Sequence, residues 1–150
     1  MKTGLWICVV FLLAGGFAVA QSNEVIDEIL AQEEATFGQA AYIAFLAAGA
    51  APQDATVEEV YSDISWAEWG LEQKGMDEAV TVGEFSYLLM ENLGIEGGLM
   101  YRMIPGPRYA ARELDYLDFF IRRASPYRGI SGQEMLHVVG QALAYTEEGA

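Results

Sequence analysis

The sequence predicts an all-α protein: one compact domain of three helix-pair repeats, each a helix-loop-helix unit, following a removable leader. Three observations carry this. Apolar residues recur at helical spacing along the chain, without the sustained alternation of a half-buried strand. Three Ser/Thr-x-x-Gln/Glu boxes, Thr36 to Gln39, Thr81 to Glu84 and Ser131 to Glu134, stand 45 and 50 residues apart, a period typical of helical repeats. The first two helices begun by these boxes stop at Gly49 and Gly94, the residue that best tolerates the left-handed turn ending a helix.

The leader comes first. Lys2 precedes an apolar run from Leu5 to Val19, and Ala18-Val19-Ala20 supplies the small residues a signal peptidase requires, so residues 1–20 read as a signal peptide cut before Gln21. A bilayer span needs about 20 apolar residues, and this run is shorter, so no stable transmembrane segment is expected after cleavage. Cleavage removes Cys8, the only cysteine, so the remainder must be held by its core rather than by disulfides. Residues 21–145 are assigned to the helical repeat domain and 146–150 to a disordered tail.

A short docking helix from Ser22 aligns Val25, Ile26, Ile29 and Leu30 on one stripe, with Glu24, Asp27 and Glu28 favouring its amino end. The three capped helices then share more than their boxes. Six residues past each cap stand Tyr42, Tyr87 and His137, followed by Ile43, Leu88 and Val138, and by Ala44, Leu89 and Val139. Segments before the second and third capped helices read as their partners. Thr56 to Lys74 opens with another capping box, Thr56 to Glu59, and is closed by Gly75; Pro107 to Phe120 starts with the proline that suits a first helical turn. Pro105-Gly106-Pro107 excludes one continuous helix through that point.

Ser65-Trp66-Ala67, Leu71 and Gly75, followed by Thr81-Val82-Gly83-Glu84 and Leu93-Gly94, resemble the S-layer homology domain, an envelope module of three helix pairs. The resemblance centres on this middle unit. It implies the three-pair fold and, by family habit, anchoring to cell-wall polysaccharide through basic and aromatic groups in grooves between repeats. The positions matching the family's basic residue are Phe37, Val82 and Gly132, so the likeness speaks for the fold more than for the ligand.

All 22 acids lie beyond the leader, sixteen of them in residues 21–100 with Lys74 as the sole base; residues 101–150 hold six arginines and six acids. Nucleic acid and anionic membrane surfaces are therefore poor partners. The candidate binding surface falls in the arginine-bearing third, where residues 99–112 combine aromatics, methionines and arginines: Tyr101, Arg102, Arg108, Tyr109 and Arg112. Guanidinium forks and flat tyrosine rings are the groups that recur at binding hot spots. The competing role for this stretch is a connector whose apolar residues fill the core and whose arginines pair with the acidic half.

His137, the single histidine, takes the place of two tyrosines and reads as a half-buried contact ring, not a metal ligand or catalytic base, roles that draw on clusters of partners. Carboxylate pairs such as Glu68 with Glu72 or Glu58 with Glu59 suit a solvated acidic face better than glycoside cleavage. Trp66 and Trp69 would point about 60° apart around an α-helix, so at least one is assigned to the core. No catalytic residue, cofactor or metal is assigned. The features point to an exported, non-catalytic binding or adaptor module of a bacterial periplasm or envelope, monomeric or weakly associating, with a cell-wall glycan or an envelope protein as partner. The alternatives are a small glycan-cleaving enzyme with paired carboxylates and a structural subunit of an envelope complex.

Overall fold

A computed structural model of the chain describes residues 24–71 and 74–149, so the expected signal peptide and its cleavage site lie outside the described residues. What is described is helical, with no strand. The elements are α1 (24–31), α2 (Phe37–Ala47), α3 (Val57–Asp63), a 3₁₀ turn (Trp66–Trp69), α4 (Val82–Leu93), α5 (Leu99–Met103), α6 (Pro107–Tyr116) and α7 (Gly132–Gly149). Among the described residues no helix is long and apolar enough to cross a membrane.

Three helix starts are set by complete capping boxes. The hydroxyls of Thr36, Thr56 and Thr81 accept from the amides of Gln39, Glu59 and Glu84, whose side chains accept in return from the cap amides. Gly94 ends α4 at φ 63°, the left-handed conformation that costs glycine least. These starts are also stitched to distant loops. The amides of Phe37 and Gly38 donate to the carbonyls of Glu78 and Met76, at 2.8 and 2.9 Å. Forty-five residues on, Val82 and Gly83 donate in the same way to Arg128 and Pro126, both at 2.9 Å. The circuit closes through the turn between α1 and α2: Gly132 donates to Gln32 at 3.0 Å and Ala35 to Ile130 at 2.8 Å.

The core lies where α2, α4 and α7 meet, filled by Phe37, Tyr42, Phe85, Leu88, Met135 and Val138. Outward from it the helices form a row: α3 packs on α2, α2 on α4, α4 on α6, and α6 on α5.

Several boundaries differ from the sequence reading. The segment expected to be one helix from Thr56 to Lys74 breaks at Ile64, whose backbone is extended, and resumes as the 3₁₀ turn. The break turns Trp66 inward, its ring 4.9 Å from that of Phe37 and its indole donating to the Tyr61 carbonyl at 3.0 Å. In a 3₁₀ turn residues three apart eclipse one another, unlike the α-helical estimate. Both tryptophans are accordingly half-buried, Trp69 lying 5.8 and 5.9 Å from the rings of Phe45 and Tyr87. The segment beginning at Pro107 stops at Tyr116 instead of Phe120, because Asp118 adopts a left-handed φ of 58°. At the other end, α7 runs through the expected disordered tail as far as Gly149; Thr146 donates to the Leu143 carbonyl and Tyr145 packs on Phe119 at 5.7 Å.

Candidate functional site

The five residues singled out from the sequence divide between two places. Tyr101 faces inward from α5, only 6% exposed, and its hydroxyl donates to Glu91 Oε1 on α4 at 2.5 Å. Burial first, and then the Glu91 carboxylate, push its phenol well above the ordinary tyrosine range. It is a strut between α5 and α4, with no ring face to offer a ligand. Arg102, next in the chain, is exposed beside a small recess lined by Glu91, Glu96 and Pro105.

Arg108, Tyr109 and Arg112 come together on α6. Pro107 at the first helical position sets the helix direction, and the four-residue spacing of the two arginines stacks them on one face. The Arg108 guanidinium lies 6.0 Å from the centre of the Tyr109 ring, within cation-π reach. These three side chains form one wall of an open groove of about 980 Å³. Leu99 and Met100 of α5 border it, and the loop after α6 supplies Arg123 and Tyr127 on the far side. Tyr116 and Tyr127 are 85% and 77% exposed, so both rings are open to a partner.

Asp115 holds the groove together. Its Oδ1 accepts from the buried Ala124 amide at 2.9 Å, drawing the loop that carries Arg123 and Tyr127 against α6. Sequence reasoning missed Arg123 and Tyr127 because they join the site only through this tertiary bond, and Tyr116, one turn beyond Arg112 on α6, because it lies past the stretch of residues 99–112. The single hint available was negative: all three fall outside any apolar helical stripe.

The ion pairs show which arginines are engaged within the chain. Glu134, 7% exposed, takes both nitrogens of Arg128, Nη2 to Oε1 at 2.5 Å and Nη1 to Oε2 at 2.7 Å, and also Arg122 Nη2 at 3.2 Å. Burial alone would raise this carboxyl, yet the hydrogen bonds and charge of Arg128, then of Arg122, hold it below its ordinary value. Arg102, Arg108, Arg112 and Arg123 make no ion pair among the described residues. Pairing with the acidic half therefore does not occupy them, and three of the four converge on the groove.

The groove offers guanidinium donors that make no ion pair among the described residues, flat aromatic faces and a short apolar border. Such a set binds carboxylates, phosphates or sulfates attached to something with a face to stack. Its own acids are Glu113 and Asp115, the latter committed to Ala124. His137 is half-buried on α7, and no group of three or more His, Cys, Asp or Glu side chains among the described residues is placed to hold a metal ion. Comparison with known protein families, with curated proteins and with solved structures finds nothing that matches this chain.

Proposed function

We propose that the chain is an exported, non-catalytic binding module of a bacterial envelope, built of three helix-pair repeats, which holds an anionic ligand in the groove of Arg108, Arg112 and Arg123. The observation that carries this is the concentration of three arginines without ion-pair partners and two open tyrosine rings in one groove, on a chain whose formal net charge is −14. Exposed ion pairs contribute only about 0–1 kcal/mol, so leaving these cations unpaired costs the fold little and keeps them available to a ligand. Ligand recognition gives that arrangement a purpose. Support for the repeat reading comes from the loop-to-helix bonds that recur 45 residues apart at Phe37 and Val82. The likeness to S-layer homology domains supplies an envelope setting, and the leader supplies the route there. The ligand belongs to a cell-wall glycan or an envelope protein.

The test uses protein recovered from the envelope fraction of an expressing bacterium, presented in parallel to purified peptidoglycan and to immobilised envelope extract. Retention in either arm that drops at least tenfold for the Arg108→Glu/Arg112→Glu double variant supports the reading. Retention in neither arm, or retention indifferent to the double variant, sinks it. N-terminal sequencing of the recovered protein checks the export step, with Gln21 expected first.

A further inference from the structure

The far wall of the groove comes from the stretch between α6 and α7, which has no helix of its own to hold Arg123 and Tyr127 in place. Instead, the residues on either side of each are tied down. Arg123 follows Arg122, whose Nη2 meets Glu134 Oε2 at 3.2 Å, and precedes Ala124, whose amide donates to Asp115 Oδ1 at 2.9 Å. Tyr127 follows Pro126, whose carbonyl accepts from the Gly83 amide at 2.9 Å. It precedes Arg128, whose carbonyl accepts from the Val82 amide and whose guanidinium meets both oxygens of Glu134. The tethered residues alternate with the two that face the ligand site.

Glu134 meets this stretch at both points, near its start through Arg122 and near its end through Arg128. It belongs to α7, is only 7% exposed, and stands outside the residues that line the groove, as Arg122 does. We infer that Glu134 is a positioning residue for the groove: through Arg122 and Arg128 it fixes where Arg123 and Tyr127 stand, without touching the ligand. The inference rests on the reading of this groove as a site for an anion. A loop that must be ordered as the ligand arrives subtracts its ordering entropy from the affinity, whereas a loop already tied does not. An exposed acid would hold the exposed Arg122 loosely, but the two-pronged contact with Arg128 fixes the Glu134 carboxylate before Arg122 reaches it. Of two adjacent arginines, the first is a tether and the second is the donor.

The retention test on purified peptidoglycan and on immobilised envelope extract, repeated with three further variants, checks the inference. Glu134→Gln should lower retention about tenfold, the scale of ordering one or two side chains on binding. Arg122→Ala, a change at a side chain 71% exposed and therefore harmless to the fold, should lower it about threefold, the scale of an exposed ion pair. In an Arg123→Ala background, Arg122→Ala should lower it no further, because its effect passes through Arg123. Trypsin supplies a reading that needs no ligand. Cleavage after Arg123, relative to cleavage after Arg102 on α5, should rise about fivefold or more in Glu134→Gln, since a local loosening exposes the loop alone, whereas a general loss of stability speeds both cuts. Wild type held by neither matrix removes the anion-site reading and this inference with it. Wild type held, with Glu134→Gln held as well or better, with both tryptic cuts quickened alike, or with Arg122→Ala still costing threefold in the Arg123→Ala background, overturns this inference and leaves the reading standing.

Discussion

The starts of α4 and α7 carry the same signature, Thr81 to Glu84 and Ser131 to Glu134, and use it differently. At α4, Glu84 reaches back to the Thr81 amide at 2.8 Å and to its hydroxyl at 2.9 Å, with Lys74 3.4 Å away as a loose countercharge. At α7 the Ser131 hydroxyl still accepts from the Glu134 amide, at 3.3 Å, but the Glu134 carboxylate has turned away from the cap to bind Arg128. The first glutamate serves its own helix. The second anchors a loop. The difference follows from what the preceding loop delivers: a flexible ammonium at Lys74, or a planar guanidinium that matches both carboxylate oxygens at once. A capping box in sequence therefore identifies a helix start reliably while leaving open what its acid does.

Both starts press against backbone from elsewhere, and here the expected effect is largest. A Cβ added at Gly132 would lie 1.6 Å from the Ile29 carbonyl oxygen, whereas one at Gly83 would meet the Pro126 and Pro107 carbonyl oxygens at 2.9 and 3.0 Å. No rotamer relieves a clash with backbone. Gly132→Ala should destabilise the fold by about 3 kcal/mol or more and Gly83→Ala by about 1–3 kcal/mol, the overpacking range. Urea unfolding of the two variants checks the order; equal midpoints for Gly132→Ala and wild type would show that α1 does not close onto α7.

The next effect separates the two glutamates. Glu134→Gln leaves Arg128 without its countercharge in a site where the acid is nearly buried, and should cost about 2–4 kcal/mol, less than a fully buried pair because Arg128 retains some solvent. Glu84→Gln keeps a side chain able to cap and should cost under about 1 kcal/mol. The pH dependence sharpens the contrast. Arg128 and Arg122 hold the Glu134 carboxyl below the ordinary 4.5, so the folded state binds its proton less readily than the unfolded chain does. That stabilisation is fully present above pH 4.5 and is lost as pH falls through the lower folded-state value. Stability measured from pH 6 down to about pH 3 should fall more steeply for wild type than for Glu134→Gln. Parallel curves would mean the pair contributes nothing specific.

The features legible in the sequence are those decided within one turn of chain. Thr81 and Glu84 are three residues apart, Gly94 answers only to the helix it ends, and the apolar stripe of α4 is its own periodicity. What escaped depends on distant partners. Gly132 must be glycine because of Ile29, more than a hundred residues earlier. Arg123 and Tyr127 enter the groove because Asp115 binds the Ala124 amide, and Tyr101 leaves it because Glu91 on another helix takes its hydroxyl. Composition could identify an arginine- and tyrosine-rich third; only the packing of α5 and α6 sorts strut from binding surface.

The smallest effect isolates the caps themselves. Thr81→Ala removes the acceptor for the Glu84 amide and also a hydroxyl that donates to the Glu84 carboxylate, so two bonds go together. Ser131→Ala removes one, a 3.3 Å bond, and leaves Glu134 seated on Arg128. Cap deletions typically cost about 0.5–2 kcal/mol. Thr81→Ala should lie in the upper half of that range and Ser131→Ala at its foot. The two losses, read from thermal or urea midpoints, should differ by about 1 kcal/mol. If Ser131→Ala costs as much as Thr81→Ala, the α7 cap contributes as fully as the α4 cap, and the division of labour between Glu84 and Glu134 is wrong. If it costs little, α7 is held at its start by the Glu134 to Arg128 pair and by Gly132 against α1, with the serine contributing only the initial turn.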